Sequence, residues 1–216
     1  MYYIYVEMKM GLNDKLSTGK ALPLMESFHS LQGEGYHSGL PAYFIRLGGC
    51  NIGCHWCDVK ESWDFQKYPL ISVKNIVEKV VINFENVVIT GGEPLMWNMN
   101  LLTNTLKAKN KKTHLETSGA YEISGIWDWF CLSPKKNRLP TEQAFSRADE
   151  LKIIIYNKHD LEFAEHCAKN VKNDCLLYLQ PEWGKRKVSM SLVVDYIMQN
   201  PKWKISLQTH KYLNIP

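Results

Sequence analysis

The sequence predicts an α/β protein built on a parallel sheet, and three observations carry that prediction. Short apolar runs of strand length alternate with segments whose apolar residues recur at helical spacing. The 216-residue chain, 45% hydrophobic, is long enough to bury one sizeable core and has the length of a single domain. Polar clusters follow the ends of the strand-like runs, which is where sheets of this kind gather their chemistry.

The elements follow in order. AYFIRL (42–47) reads as a strand. Residues 72–84 read as a helix, with Ser72 placed to cap it and Val73, Ile76, Val77, Val80, Val81 and Phe84 repeating along one face. NVVIT (86–90) is a strand, about 100–109 a helix, and HLET (114–117), WFCLS (129–133) and ELKIII (150–155) are strands. A helix over about 160–170, a strand LLYLQ (176–180), a helix over 191–200 ended by Pro201 and a strand KISLQ (204–208) complete the series. Such alternation implies right-handed crossovers in a sheet that is open, or curled into a barrel or part of one. TGGEP, ETSG, SPKKN and QPEW each begin at the carboxyl end of a predicted strand. Turns explain their glycines and prolines, but less well the recurring Glu, Lys and Gln.

Composition narrows the class. No apolar run approaches the ~20 residues of a membrane span, and the opening MYYIYVEMKM has neither the basic flank nor the cleavage site of a secretory leader, so a cytoplasmic protein is expected. The net charge of +4 is mild and scattered, which gives no indication of nucleic acid binding.

Six cysteines are present, three of them within GGCNIGCHWCD (48–58). That crowding is a poor disulfide framework and a better sign of metal or redox chemistry. Cys131, Cys167 and Cys175 read as small buried apolar residues, with a second metal site from His166, Cys167 and Cys175 as a weaker alternative. For Cys50, Cys54 and Cys57, a closed zinc site lacks a partner CxxC, and His55 would have to turn back inside its own loop to become a fourth ligand. A redox pair of Cys54 and Cys57 leaves Cys50 unexplained. A four-iron, four-sulfur cluster held by three cysteines leaves one iron open to a small molecule.

CxxxCxxC directly after a strand and the pair Gly48–Gly49, followed one strand later by GGEP (91–94), resembles the radical S-adenosylmethionine enzymes. The resemblance implies an incomplete TIM-like α/β barrel, a cluster on Cys50, Cys54 and Cys57, and S-adenosylmethionine chelated at the open iron. Its reductive cleavage would give a 5'-deoxyadenosyl radical that abstracts hydrogen from the substrate. The glycines let backbone approach a ligand, and Glu93 is placed to accept from the methionine ammonium, although an ordinary turn would also explain GGEP alone.

Residues 26–58, with SLQGEG and FIRLGGC, resemble the 7-carboxy-7-deazaguanine synthases more closely, and the likeness continues through TGGEP, LETSG, SPK, LQPEW and LQTHKYLNIP. It spans nearly the whole chain beyond residue 22, so one catalytic domain is expected, with residues 1–21 as an extension. The implied reaction is contraction of 6-carboxy-5,6,7,8-tetrahydropterin to 7-carboxy-7-deazaguanine with loss of ammonia, on the route to queuosine-type nucleosides, with S-adenosylmethionine used catalytically. By resemblance Leu31, Gln32, Gly33, Arg46, Thr90 and Pro216 match substrate-contacting positions. Trp56, Cys57, Asp58, Gly92, Ser133, Pro134, Lys135, Gln180, Pro181, Glu182 and Trp183 match those holding S-adenosylmethionine. No side chain is assigned as acid or base, His210 included.

The residues themselves bear on these assignments. Arg46 shares a pleat face with Ala42 and Phe44, and a guanidinium pointing inward asks for an anion, either a substrate carboxylate or a neighbouring Glu. Glu116 sits at a strand end and would otherwise pair with Lys152. The family has Asp-Thr after the third cysteine, with the threonine contributing to a magnesium ion. Here Asp58 is followed by Val59, which offers no oxygen to a hard cation, so magnesium is in doubt. KAKNKK (107–112) and GKRK (184–187) read as solvated loops or as a dock for an acidic electron donor such as a flavodoxin. The resemblance also implies a homodimer. A glycyl-radical activase and a zinc-stabilised binding module are the alternatives, neither of which calls for LQGEG or LQTHK.

Overall fold

The structure is a computed structural model and describes residues 14–80 and 83–216. Among the described residues nine strands form one sheet: β1 (Ala21–Leu31), β2 (Pro41–Leu47), β3 (Leu70–Ser72), β4 (Asn86–Gly91), β5 (Lys112–Thr117), β6 (Trp129–Leu132), β7 (Glu150–Ile155), β8 (Leu176–Pro181) and β9 (Trp203–Ile205). Their order is β3-β1-β2-β4-β5-β6-β7-β8-β9, so the sheet is open, with β3 and β9 at its edges. From β2 onward every pairing is parallel, while β1 runs antiparallel to both β2 and β3. This is the mostly parallel α/β architecture the sequence predicts, unclosed.

The helices are α1 (Val73–Glu78), α2 (Asn100–Ala108), α3 (Glu142–Arg147), α4 (His159–Ala168), α5 (Arg186–Gln199) and α6 (Thr209–Leu213). Ser72 caps α1 as expected, its hydroxyl accepting from Asn75 N at 3.2 Å. The helix is shorter than its apolar periodicity suggested, because Lys79 already forms its C-cap and Val80 lies beyond it. Val81 lies outside the described residues. Helix α5 begins five residues before the segment expected from sequence, and β9 stops at Ile205, the chain then turning into α6.

Pleating sorts the central strands into two faces. Tyr43, Ile45, Leu47, Val87, Ile89, Leu115, Phe130, Leu132, Leu151, Ile153, Ile155 and Leu179 belong to the main core, which α1, α2, α4 and α5 complete with Ile76, Leu102, Leu106, Leu161, Ala164 and Val193. The alternate residues face the other way: Phe44, Arg46, Thr90, Glu116, Lys152, Ile154 and Gln180 all line one cavity. One face is therefore the apolar body and the other the floor of a polar site. Close packing of the first face fixes the register that aims the second.

Before β1 the chain also meets the body. Val73 N donates to Lys20 O at 3.0 Å, and Asn98 Nδ2 to Ser17 O at 3.4 Å. Residues 1–13 of the expected extension lie outside the described residues.

Candidate active site

The cavity, about 400 Å³, opens at the carboxyl ends of the parallel strands. All four polar clusters picked out in the sequence reach it: Thr90 to Glu93, Glu116 to Ser118, Ser133 with Lys135, and Gln180 to Trp183. A stacked pair, Phe28 and Phe44 with ring centres 5.3 Å apart, supplies an apolar wall.

Cys50, Cys54 and Cys57 line the same cavity, partly exposed and free of disulfides. Their loop is anchored at its start, where Gly49 N donates to Ser62 O at 2.6 Å, Cys50 N to Trp63 O at 3.1 Å and Trp97 Nε1 to Gly48 O at 2.9 Å. Asn137 Nδ2 holds Gly53 O at 2.9 Å. Glycine is required at Gly92, where a Cβ would lie 2.3 Å from Gly49 O and 3.0 Å from Cys50 Cβ. That close approach sets the GGEP turn against the cysteine loop.

Burial pushes the Cys50 and Cys54 thiols above their ordinary values; for Cys54 the Lys135 ammonium opposes the shift, and the neighbouring cysteines add to it in both. Thiols so placed become thiolates when a metal cation answers them, with release of their protons. Among the described residues no three His, Cys, Asp or Glu side chains converge as ligands of a single ion. A cube asks for a different arrangement, one thiolate on each of three corners. The donor set, three sulfurs facing an open cavity, fits that group. His55 lies outside the cavity lining, its ring edge-on to Tyr156 with centres 5.1 Å apart.

Around the loop stand the residues expected to hold S-adenosylmethionine. Trp56 and Asp58 line the cavity, as does Lys135, whose ammonium donates to Ser133 Oγ at 2.7 Å and lies 5.7 Å from the Trp56 ring centre. Gln180, Pro181, Glu182 and Trp183 line it too. Gln180 Oε1 accepts from Ser206 Oγ at 2.7 Å, and the Glu182 carboxylate accepts from Gly184 N and Lys185 N at 2.9 and 2.8 Å, so both hold their own surroundings in shape. Pro134 is buried and does not line the cavity, unlike its neighbours Ser133 and Lys135.

Leu31, Gln32, Gly33, Arg46, Thr90 and Pro216 all line the cavity as well. Arg46 Nε donates to Glu26 Oε1 at 2.6 Å, the neighbouring-Glu partner that the sequence left open, while the guanidinium still faces the cavity. Glu116 does not pair with Lys152: it accepts from Gln32 Nε2 at 2.9 Å and from Thr90 Oγ1 at 3.0 Å. Lys152 pairs with Glu34 instead. Pro216 is tied to β1 by Ser30 Oγ, which donates to its O at 2.8 Å.

Glu93 is 1% exposed and its carboxylate is occupied by the protein, accepting from Leu95 N at 3.0 Å, Ser118 N at 2.8 Å and the hydroxyls of Thr117 and Ser118. These bonds lock the GGEP turn to the end of β5, with Glu93 at the cavity lining. His166 is exposed while Cys167 and Cys175 are buried, so those three make no second metal site.

Sequence reasoning passed over Phe28, Trp63, Ile154 and the Glu34 carboxylate, all lining the cavity. Glu34 lies within QGEG, which enters the sequence analysis only as part of the family resemblance. A carboxylate inside a glycine-flanked turn was the available signal.

The match of residues 44–123 to the Radical SAM superfamily model, together with this fold and three-cysteine site, defines a radical S-adenosylmethionine enzyme. The chain is 58% identical over 198 residues to the 7-carboxy-7-deazaguanine synthase of Flavobacterium psychrophilum, covering 92% of this chain and 94% of that one. It is 45% identical to the 7-carboxy-7-deazaguanine synthase of Synechocystis, covering 96% of this chain and all of that one, 100%. It also superposes on the crystal structure of QueE from Escherichia coli with a TM-score of 0.77 at 29% identity, covering 90% and 97% of the two chains. The chain belongs to the 7-carboxy-7-deazaguanine synthase family.

Proposed function

We propose that this protein converts 6-carboxy-5,6,7,8-tetrahydropterin to 7-carboxy-7-deazaguanine with loss of ammonia, acting as one catalytic domain with the segment before residue 22 as an extension. The observation that carries this reading is the shared cavity. Three unpaired thiols and the Gln32, Arg46 and Thr90 constellation face a single space of about 400 Å³.

Cys50, Cys54 and Cys57 would hold the cluster, and Trp56, Lys135 and Trp183 would flank S-adenosylmethionine. When bound and reduced, that pair supplies the one-electron chemistry that takes a hydrogen atom from the substrate and returns it. The protein's own contribution is placement and exclusion of water. Arg46 offers a charge-assisted hydrogen bond to the pterin carboxylate. Thr90 Oγ1 spends its proton on Glu116, so toward the cavity it presents lone pairs that suit a ring N–H. Phe28 and Phe44 suit the face of a flat heterocycle.

Val59 lines the cavity and brings no oxygen to it, which supports a magnesium requirement weaker than that of threonine-bearing relatives. An acidic one-electron donor is the expected reductant. Helix α5 exposes Val194 and Met198, 43% and 80%, one turn apart on a face suited to a second copy of the chain. No helix among the described residues is long and apolar enough to cross a membrane, and we read the protein as cytoplasmic.

The test is anaerobic reconstitution with iron and sulfide, reduction, and incubation with carboxytetrahydropterin and S-adenosylmethionine. A brown protein and a product of the deazaguanine's mass are expected. A colourless protein, or pterin returned unchanged by iron-replete enzyme, would refute the reading. Arg46→Met is expected to raise KM by about tenfold or more, the scale of one charge-assisted hydrogen bond.

A further inference from the structure

Lys211 ties together parts of the site that the chain keeps far apart. Its ammonium lies 2.5 Å from Asp58 Oδ2, next to Cys57, and donates to Gln208 Oε1 at 3.2 Å. It also lies 5.1 Å from the Trp183 ring centre. Gln208 Nε2 in turn donates to Glu34 Oε1 at 2.8 Å, in the turn that carries Gln32 and Gly33. The same turn is fastened to α6, since Thr209 N donates to Gly33 O at 2.8 Å.

A continuous path, Asp58–Lys211–Gln208–Glu34, therefore runs from the cysteine loop to the turn that carries Gln32 and Gly33. Among the described residues, the Lys211–Asp58 pair is the one hydrogen-bonded link between that loop and α6. With Asp58 51% exposed, the pair adds little to global stability. Its position gives it a different use.

We infer that Lys211 is a positioning residue that couples the cysteine loop to the Gln32 turn, so that pterin bound beside Gln32 tightens S-adenosylmethionine beside Asp58. This rests on the proposed reaction. A ligand at either end orders one terminus of the path, and the second ligand then meets a partner already in place. Linkage makes the effect reciprocal: S-adenosylmethionine tightens pterin by the same factor. The physiological result is restraint, because the sulfonium compound is held for cleavage only when substrate is present.

The experiment uses reconstituted holoenzyme with the cluster left oxidised, so that nothing turns over. The dissociation constant of S-adenosylmethionine is measured with and without carboxytetrahydropterin for the wild type, Lys211→Met and Lys211→Arg. Pterin is expected to tighten the wild type about tenfold. The ratio should fall close to one in Lys211→Met, which keeps the aliphatic stem, and recover in Lys211→Arg. Under reducing conditions Lys211→Met should release more 5'-deoxyadenosine per product formed. Gln208→Leu, which cuts the path one link further on, should lose the coupling too, and it decides the matter if Lys211→Met fails to take up its cluster. A wild type without coupling, or variants that keep the full ratio, would overturn the inference. Product formation by the wild type tests the reaction separately, so the two failures are distinguishable.

Discussion

The ammonium of Lys152, on β7, pairs with the carboxylate of Glu34 beneath the cavity, their side chains only 5% and 16% exposed. Burial alone would raise the Glu34 carboxyl; the Lys152 charge and hydrogen bond, with a second bond from Gln208, instead hold it at about 2. Removing one partner strands the other charge in a poorly solvated place. Lys152→Met is therefore expected to cost about 3–5 kcal/mol in urea unfolding, whereas Lys152→Met with Glu34→Leu should recover part of it. Because the folded value is depressed, Glu34 contributes its stability above pH 4.5 and loses it as pH falls toward 2. A single variant as stable as the wild type would show the pair to be dispensable.

A second titration works in a higher window. His114 is 6% exposed, its ring centre 4.7 Å from that of His37, and burial followed by the His37 charge presses it down to about 4. The unfolded chain takes up this proton near pH 6.5 and the folded chain only near 4. Stability from this group is complete above pH 6.5 and declines as pH drops through that interval, by on the order of 3 kcal/mol. His114→Phe keeps a ring against His37 and should flatten the fall between pH 6.5 and 4.5. Urea midpoints measured in parallel on the two proteins check this; parallel curves would reject it.

Gly33 carries a steric prediction. A Cβ there would fall 2.0 Å from His210 Nδ1 and 2.7 Å from its Cγ, so Gly33→Ala must move the His210 ring and with it α6. Because α6 also carries Lys211, the substitution should raise KM for the pterin and weaken S-adenosylmethionine together, each by about tenfold, with little change in Tm. Unaltered KM would mean that α6 yields without consequence.

What could be read from sequence, and what could not, follows from how local each signal is. The central strands showed themselves because their core-facing side is fully buried, giving apolar-rich runs of strand length such as ELKIII and NVVIT. Strand β1 did not: ALPLMESFHSL contains Pro23, Glu26 and His29, its register shifts between Leu24 and Glu26, and its partners lie downstream. Helix α3 buries only Ala144, too little to leave a periodic trace. The cysteine loop and strand-end clusters were legible because cluster binding and turn chemistry fix residues within a few positions of one another. The pairing of Glu34 with Lys152, 118 residues apart, leaves no local pattern, which is why Lys152 was matched to Glu116. Pro134 comes with its motif, but Ser133 and Lys135 line the cavity and the buried Pro134 between them does not.

The two basic stretches noted in the sequence come to opposite ends of the sheet, which separates them as docks for an electron donor. Lys109 precedes β5, and Lys112 is separated from Thr117 at the cavity by a strand length of roughly 16 Å. That is about twice the screening length at physiological salt. Residues 184–187 instead follow β8 beside the cysteine loop: the Lys185 ammonium lies 5.7 Å from the Tyr156 ring centre, against whose edge His55 packs, and Arg186 stacks 4.1 Å from the Trp183 ring centre. Lys185 and Lys187 are exposed and can meet an acidic partner without disturbing the Arg186–Trp183 stack. Replacing both by Glu is expected to slow flavodoxin-driven turnover about tenfold or more at low salt, the difference shrinking as salt is raised. Turnover driven by dithionite, which needs no protein dock, should stay within about twofold of the wild type. Lys109→Glu should leave both rates unchanged. Equal slowing by the two reductants would place the defect in the catalytic site, and a Lys109→Glu effect would move the dock to the far end of the sheet.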